Sequence, residues 1–177
     1  MSCVGAFGSD GYMARVNGDA NVRAVSAALR HKVARFVYVS AIQTDLPAFV
    51  LRGYFDGKRR AEEAVADAFG ERGTVLRPSF VFGNRSIGGG MALPLGVIGR
   101  PLQVVLDLPL LRDLHSLPGL RGILLPPVAV EDVGLVAAAA AMGLLPESKP
   151  VIEVPGIRRL ARWVSCDVPW RSADDLS

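Results

Sequence analysis

Short apolar runs that alternate with longer amphipathic stretches are the feature that most restricts the fold of this chain. ARFVYVSA contains the β-branched and aromatic run Phe36 to Val39, and TVLRPSFVFG is a second run of the same kind, each typical of a buried strand. Between them, the stretch from Gly53 or Tyr54 to about Phe69 is rich in Ala, Glu, Lys and Arg and is predicted to be a helix. Strands joined by such helices form crossover units, so the sequence predicts an α/β fold with a parallel sheet.

Residues on both sides extend this pattern. NGDANVRAVSAALR places apolar residues at helical spacing between Asn17 and Arg30, with Asn17 as the predicted N-cap. Beyond Gly83, many glycines, prolines and leucines with few charges predict an irregular apolar segment over residues 84–125.

The C-terminal part is predicted to hold one more helix. PPVAVEDVGLVAAAAAMG reads as a short strand or turn and then a helix, with Glu131 and Asp132 at its positive end. VIEVPGI is predicted to be a last extended piece, and the tail at residues 163–177 has no assignable period.

Composition excludes several classes of function. The 177 residues suit one domain, and the net charge of +3 is scattered, without the dense basic stripe that nucleic-acid binding requires. The two cysteines and two histidines are far apart, which excludes a disulfide framework or a metal site and favours a reducing compartment. Prolines and charges interrupt every apolar run before it reaches the roughly 20 residues of a membrane-spanning helix.

The opening stretch MSCVGAFGSDG spells G-x-x-G-x-x-G, the spacing of a dinucleotide phosphate loop. Such a loop follows a full strand, and an acidic residue ends the next strand. Here only Met1 to Val4 precede the first glycine, and the next strand ends in Ser40. We therefore expect a look-alike of the phosphate loop.

Ser40, Tyr54 and Lys58 form a chemically useful set. Residues four apart share a helix face, so Lys58 is expected near the Tyr54 phenol, where its ammonium would lower the phenol pKa and favour proton transfer. A serine hydroxyl at a strand end can hydrogen-bond a substrate carbonyl. Tyr-x-x-x-Lys is also common in ordinary amphipathic helices, with a half-buried tyrosine and a solvated lysine, and that interpretation stays open.

These residues resemble a known family. VSA followed by GYFDGKRRAEE is similar to the strand-five to helix-five region of extended and atypical short-chain dehydrogenase/reductases. SCVGAFG and VNGDANVRAVSAA resemble the end of the family's fourth strand and the helix that carries its asparagine, here Asn17. VLRPSFVFGNR resembles the sixth strand and the nicotinamide loop, and LPLGVIGRPL with LLPPVAVEDVGLVAAAA resembles the small substrate-side region. The most similar group is that of plant organellar Rossmann proteins, related to the NAD(P)H-binding accessory subunit of mitochondrial complex I and to a fungal protein of coenzyme Q biosynthesis.

The resemblance implies a role for each matching residue. Tyr54 would be the proton donor, Lys58 its activator and ribose ligand, Ser40 the carbonyl polariser and Asn17 a relay support. The residues implied to contact NAD or NADP are Val4, Gly5, Ala6, Gly8, Tyr54, Lys58, Pro78, Val81 and Gly83. Residues 84–125 would cover a lipophilic substrate, although an ordinary hydrophobic core explains that composition equally well.

The chain also departs from the family. The first three strands of the family's sheet, with the true glycine loop, have no counterpart, so residues 1–162 are predicted to be the C-terminal part of one Rossmann-like domain, from strand four onward. We expect a truncated protein that binds NAD(P) poorly, since the helix end that holds the pyrophosphate is missing.

The implied activity is an NAD(P)-dependent oxidoreductase acting on a lipophilic carbonyl or quinone-type substrate, linked to ubiquinone biosynthesis or complex I. Two alternatives stay open: a non-catalytic binding or assembly subunit in an organellar complex, and a product that is unstable and has no function of its own. The resemblance implies a mitochondrial location, with the plastid as the alternative.

Overall fold

The computed structural model describes residues 1–42, 51–87, 91–94, 126–146 and 149–167. The helices are α1 (Asp10–Met13), α2 (Ala20–Arg30), α3 (Arg52–Phe69), α4 (Val130–Met142) and α5 (Val154–Asp167), with a π-helical segment at Ala14–Asp19 and a 3-10 turn at Gly70–Arg72. The strands are β1 (Phe36–Val39), β2 (Gly73–Arg77), β3 (Val81–Phe82), β4 (Asn84–Ile87), β5 (Met91–Pro94), β6 (Val128–Ala129) and β7 (Val151–Glu153).

A parallel sheet of order β1-β2-β7 forms the centre of the fold. Ser2 extends it on the other side of β1 through a parallel bridge to Tyr38, with Ser2 N donating to Val37 O at 2.8 Å. The predicted α/β fold with a parallel sheet is confirmed. Two smaller pairs accompany this sheet: β3 runs parallel to β6, and β4 runs antiparallel to β5.

Successive strand residues point to opposite faces of the sheet, and each face carries its own apolar cluster. Phe36, Tyr38 and Val75 pack with α2 and α3. Val37, Leu76 and Ile152 pack with α4 and α5 on the other face. The near-continuous apolar runs seen in the sequence therefore reflect strands that are covered by helices on both sides.

The first helical run begins earlier than predicted. Ser9 is the N-cap, its hydroxyl accepting from Tyr12 N at 3.4 Å, and α1, the π-helical segment and α2 then follow without a break. The prediction that Asn17 is an N-cap is wrong, because Asn17 is fully buried inside this run.

The second apolar run is not one strand. β2 ends at Arg77, and the chain resumes as β3 in a different sheet. Pro78 separates the two, since it has no N–H to continue a ladder. The prediction that TVLRPSFVFG forms a single strand is therefore wrong.

The C-terminal prediction is also wrong in part. β7 covers only the first three residues of VIEVPGI, and α5 begins at Val154 and runs through Trp163 to Asp167. The expected boundary at residue 162 therefore falls inside a helix, whose buried residues at helical spacing are Val154, Ile157, Leu160, Ala161 and Val164. Pro155 is tolerated because it lies in the first turn. Residues 168–177 of the predicted tail lie outside the described residues.

Two further predictions concern residues 84–142. The prediction that residues 84–125 are irregular is wrong for β4 and β5, which form an antiparallel pair. The other residues of that segment lie outside the described part of the chain. The helix predicted after the short strand is confirmed as α4, with Glu131 and Asp132 in its first turn.

None of the helices in the described ranges is long and apolar enough to cross a membrane. Over the same residues, no group of three or more His, Cys, Asp or Glu side chains could hold a metal ion.

Glycines allow α3 to pack directly on the first helical run. A Cβ at Gly57 would lie 2.8 Å from Gly18 N and 3.1 Å from the Asn17 carbonyl carbon, and a Cβ at Gly53 would collide with Asp10 O. Backbone therefore meets backbone along this seam, which we call the glycine seam (Gly18, Gly53 and Gly57).

We expect Gly57→Ala to lower the free energy of unfolding by about 1–3 kcal/mol, because rigid backbone atoms would have to move. The matched control is Gly134→Ala in α4, where an added Cβ meets nothing within 4 Å among the described residues. That variant should be more stable by about 0.5–1 kcal/mol. Urea denaturation of both variants checks this prediction. Equal unfolding midpoints for Gly57→Ala and Gly134→Ala would contradict the tight packing at the glycine seam.

Candidate functional site

Helix α3 brings Lys58 to the carboxyl edge of β1. Its side chain is only 5% exposed, and its ammonium donates to Val39 O at 3.0 Å and Val4 O at 3.4 Å. An ammonium has three N–H donors, so one is left over from these two bonds among the described residues. The alternative of a solvated lysine on an ordinary helix is wrong.

Two aromatic rings enclose the same ammonium. Lys58 Nζ lies 5.0 Å from the ring centroid of Tyr38 and 5.8 Å from that of Tyr54. Burial lowers the pKa of Lys58 from 10.5 to about 8, while the charges of Cys3 and Glu62 act in the opposite direction. Near neutral pH Lys58 is therefore a cation that gives up its proton readily.

Tyr54 lies one turn before Lys58 and is half-buried in an aromatic group. Its ring stacks on Phe7 at 4.9 Å with 10° between the planes and meets the edge of Phe55 at 5.2 Å. Burial raises the pKa of Tyr54 above its ordinary value. The predicted lowering by Lys58 is wrong, because desolvation of the phenolate outweighs the neighbouring cation.

Asn17 holds the glycine-rich loop against the helical run. Its Nδ2 donates to Ala6 O at 2.8 Å and Met13 O at 2.9 Å, and its Oδ1 accepts from Ala6 N at 3.2 Å. Its backbone carbonyl accepts from the Tyr38 hydroxyl at 3.4 Å. In the structure this residue is a buried clamp on the loop that precedes α1.

Asn21 does the same one turn later, and the sequence reasoning missed it. Its Nδ2 donates to Val4 O at 3.2 Å and Asn17 O at 3.0 Å, and its Oδ1 accepts from the Ser2 hydroxyl at 2.7 Å. The signal that could have found it is a second asparagine four residues after Asn17, on the apolar side of the helix.

Ser40 follows β1 directly and is 5% exposed. Its N–H continues the ladder by donating to Leu76 O at 2.8 Å, but its hydroxyl has no partner among the described residues. Leaving a buried hydroxyl unpaired costs about 1–3 kcal/mol. A ligand oxygen at this strand end would relieve that cost.

The loop residues predicted to contact a cofactor lie beside Lys58. A Cβ at Gly5 would sit 3.4 Å from Lys58 Nζ and 3.1 Å from Asn17 Oδ1, so the lack of a side chain lets the loop backbone approach both groups closely. Ala6 is half-buried, and Val4 and Gly8 are exposed. Helix α1 begins at Asp10, two residues after Gly8. Before the loop, Ser2 joins the sheet through an isolated bridge to Tyr38.

The second group of predicted cofactor contacts divides in two. Pro78 lies at the carboxyl edge of the sheet, where its carbonyl accepts from Ile42 N at 3.0 Å, two residues after Ser40. Val81 and Gly83 follow on the β3 side, where Val81 packs against the apolar core and Gly83 contacts Val130. Pro78 therefore lies near the end of β1 that carries Ser40, whereas Val81 packs against the apolar core.

A charged bridge lies one turn beyond Lys58, and the sequence reasoning missed this as well. Arg77 at the end of β2 donates from Nε to Glu62 Oε1 at 3.1 Å and from Nη2 to Glu62 Oε2 at 2.5 Å. Arg77 Nη1 also lies 3.7 Å from Glu153 Oε1 at the end of β7. Lys-x-x-x-Glu on a predicted helix, with an arginine at the end of the next strand, was the available signal.

No protein-family model matches the chain. The chain is 41% identical over 143 residues to an Arabidopsis thaliana protein named "Uncharacterized protein At1g32220, chloroplastic". The match covers 79% of this chain and 48% of the relative, so the chain spans about half the length of the curated relative it matches.

The burial of Lys58 predicts a pH-dependent stability. Between pH 8 and 10.5 the unfolded chain holds more protons on this group than the folded chain, so the free energy of unfolding should rise with pH across that window. Lys58→Met removes this contribution and should give a flatter curve, whereas Lys32→Met, at an exposed position, should leave the slope unchanged.

Urea denaturation at several pH values checks this prediction. Parallel curves for the wild type and Lys58→Met would show that Lys58 titrates at its ordinary pKa.

Proposed function

We propose that this chain carries the proton-transfer and nicotinamide-side part of an NAD(P)-dependent oxidoreductase of the short-chain dehydrogenase/reductase type. The observation that carries the proposal is the buried Lys58 ammonium, which bonds the Val39 carbonyl and keeps one N–H without a partner among the described residues. The Ser40 hydroxyl, one residue after Val39, likewise has no partner in the part of the chain that the structure describes. Both lie at the carboxyl edge of a parallel sheet, where open α/β folds bind their ligands. The substrate class we propose is a lipophilic carbonyl or quinone-type compound.

The residues present fit the nicotinamide half of such a cofactor. Lys58 would donate its remaining N–H to a ribose hydroxyl, and Gly5 places no side chain against the ammonium. Ser40 would hydrogen-bond the carbonyl oxygen of the substrate and stabilise the charge that develops there. The nicotinamide, when bound, supplies or accepts the hydride.

Tyr54 suits the role of proton donor in the reductive direction. Because burial raises its pKa, the phenol stays protonated at neutral pH and can donate to an oxygen that gains negative charge. The Lys58 cation favours that transfer, and its contribution should fade as the pH rises past about 8. The reductive activity should therefore decline on the alkaline side.

A second candidate function is a non-catalytic binding or assembly subunit. The observation that favours it is the Phe7 ring, which is 70% exposed and covers one face of Tyr54. An exposed aromatic ring of this kind suits contact with a partner surface as well as with a substrate. The two candidates differ in whether Tyr54 transfers a proton.

We further propose a plastid location, ahead of the mitochondrial one that the resemblance implied. The support is the word "chloroplastic" in the name of the Arabidopsis thaliana relative.

The first test uses nicotinamide mononucleotide as the probe, because that half of the cofactor is the one that we propose Lys58 and Tyr54 would bind. We expect saturable NMR shifts at Lys58 and Tyr54 at millimolar concentration, a loss of binding in Lys58→Met, and no change in Lys32→Met. Adenosine monophosphate should leave these resonances unmoved. Calorimetric titration with NAD and NADP should show weak binding at most.

The second test measures turnover. Oxidation of the reduced mononucleotide or NADPH with a lipophilic quinone or ketone should fall at least about 100-fold in Tyr54→Phe, the size of a typical general-acid contribution. Binding without turnover, unaffected by Tyr54→Phe, would favour the second candidate. Absence of any mononucleotide binding would overturn the proposed function.

A further inference from the structure

Glu62 lies on α3 four residues after Lys58, about one helical turn, so the two side chains share a helix face. Its carboxylate is held by two hydrogen bonds from Arg77, at 3.1 and 2.5 Å. The Glu62 side chain is 11% exposed and that of Arg77 is 20% exposed. A bidentate arginine–carboxylate pair that is partly buried holds the carboxylate in one place.

Arg77 has a second acidic neighbour. Its Nη1 lies 3.7 Å from Glu153 Oε1, so one guanidinium bridges carboxylates from α3 and β7. With two negative groups and one positive group, the cluster has an excess of negative charge. This excess lies on the side of the sheet edge where Lys58 is buried.

The groups that act on Lys58 lie on β1, on α3 and in the N-terminal segment. Tyr38 faces it from β1 and Tyr54 from its own helix. Cys3 of the N-terminal segment and Glu62 are the two groups whose charges raise the pKa of Lys58 against burial. Glu62 is the carboxylate among these groups, and two hydrogen bonds from Arg77 hold it in position.

We propose that Glu62 is a positioning residue for Lys58: its carboxylate, anchored by Arg77, keeps the buried ammonium charged at the carboxyl edge of the sheet. Glu62 does not need to touch a ligand for this, since it acts through Lys58. The relevance of Glu62 to catalysis rests on the proposed function, but its effect on Lys58 does not.

The experiment follows the protonation of Lys58 directly. The chain has three lysines, Lys32, Lys58 and Lys149, so their ¹³Cε resonances can be titrated individually by NMR. The wild-type midpoint for Lys58 is expected at about 8. In Glu62→Gln, which keeps the shape and an oxygen acceptor for Arg77, we expect the midpoint to fall by about half a unit.

The direction of the Lys58 pKa shift distinguishes an electrostatic effect of Glu62 from a structural effect of the substitution. If Glu62→Gln merely loosened α3, water would reach Lys58 and its pKa would rise towards 10.5. Glu63→Gln is the matched control, because it makes the same charge change at the exposed neighbouring position and should leave the midpoint in place. An unchanged or raised midpoint in Glu62→Gln overturns the proposal.

A double variant keeps the test decisive if the single variant does not fold. Glu62→Gln with Arg77→Met removes both members of the partly buried Glu62–Arg77 pair and leaves only Glu153, whose side chain is 50% exposed, without its arginine. We expect the Lys58 midpoint to fall by less than about half a unit, because the positive charge of Arg77 is lost as well. A midpoint at or above the wild-type value again overturns the proposal.

The same variants separate this inference from the proposed function. If nicotinamide mononucleotide binds, its pH profile in Glu62→Gln should move to lower pH by the shift seen for Lys58. If the mononucleotide does not bind the wild type, the proposed function fails, while the lysine titration still decides the role of Glu62.

Discussion

The close contact between α3 and the first helical run determines where the reactive groups of this protein lie. Gly57 meets the backbone of Asn17 and Gly18, and Gly53 meets that of Asp10. No larger residue allows two helices to approach this closely along their backbones. The Asp10 carboxylate also accepts from Gly53 N at 3.2 Å, which satisfies a free amide at the start of α3. As a result, Lys58 enters the space between α3, β1 and the glycine-rich loop.

That placement sets the electrostatics of the site. Removing the Lys58 ammonium from water is unfavourable, and two carbonyl oxygens, two aromatic rings and a fixed carboxylate offset the loss only in part. The adjoining Ser40 hydroxyl remains without a partner among the described residues. Two incompletely satisfied polar groups at the same end of β1 are costly for stability, and sites of this kind are characteristic of ligand binding.

The same arrangement explains why an asparagine pair lies under the loop. Asn17 and Asn21 are both buried, and between them they bond the carbonyls of Val4 and Ala6. The loop backbone is thereby fixed over Lys58 without a regular strand ladder. Fixing the loop backbone keeps Gly5 close to the ammonium, and a reactive group needs surroundings that hold it in position.

Local patterns in the sequence determined most of the central fold. The apolar runs at β1 and β2, the amphipathic α3 and the acidic first turn of α4 were all recognisable, because periodicity and end signals are local properties. The start of the first helix and the helical nature of residues 154–167 were missed, since Ser9 and Pro155 are ambiguous signals without their tertiary partners. The set Ser40, Tyr54 and Lys58 could likewise be proposed from spacing alone.

Tertiary structure decided the properties that depend on surroundings. The raised pKa of Tyr54, the lowered pKa of Lys58 and the anchoring of Glu62 by Arg77 all follow from burial between elements distant in sequence. Spacing along a helix shows which side chains are neighbours, but desolvation depends on what covers them. The sequence by itself therefore determined which groups could react, and only the packed structure decided their protonation, because that depends on the loss of water around each charge.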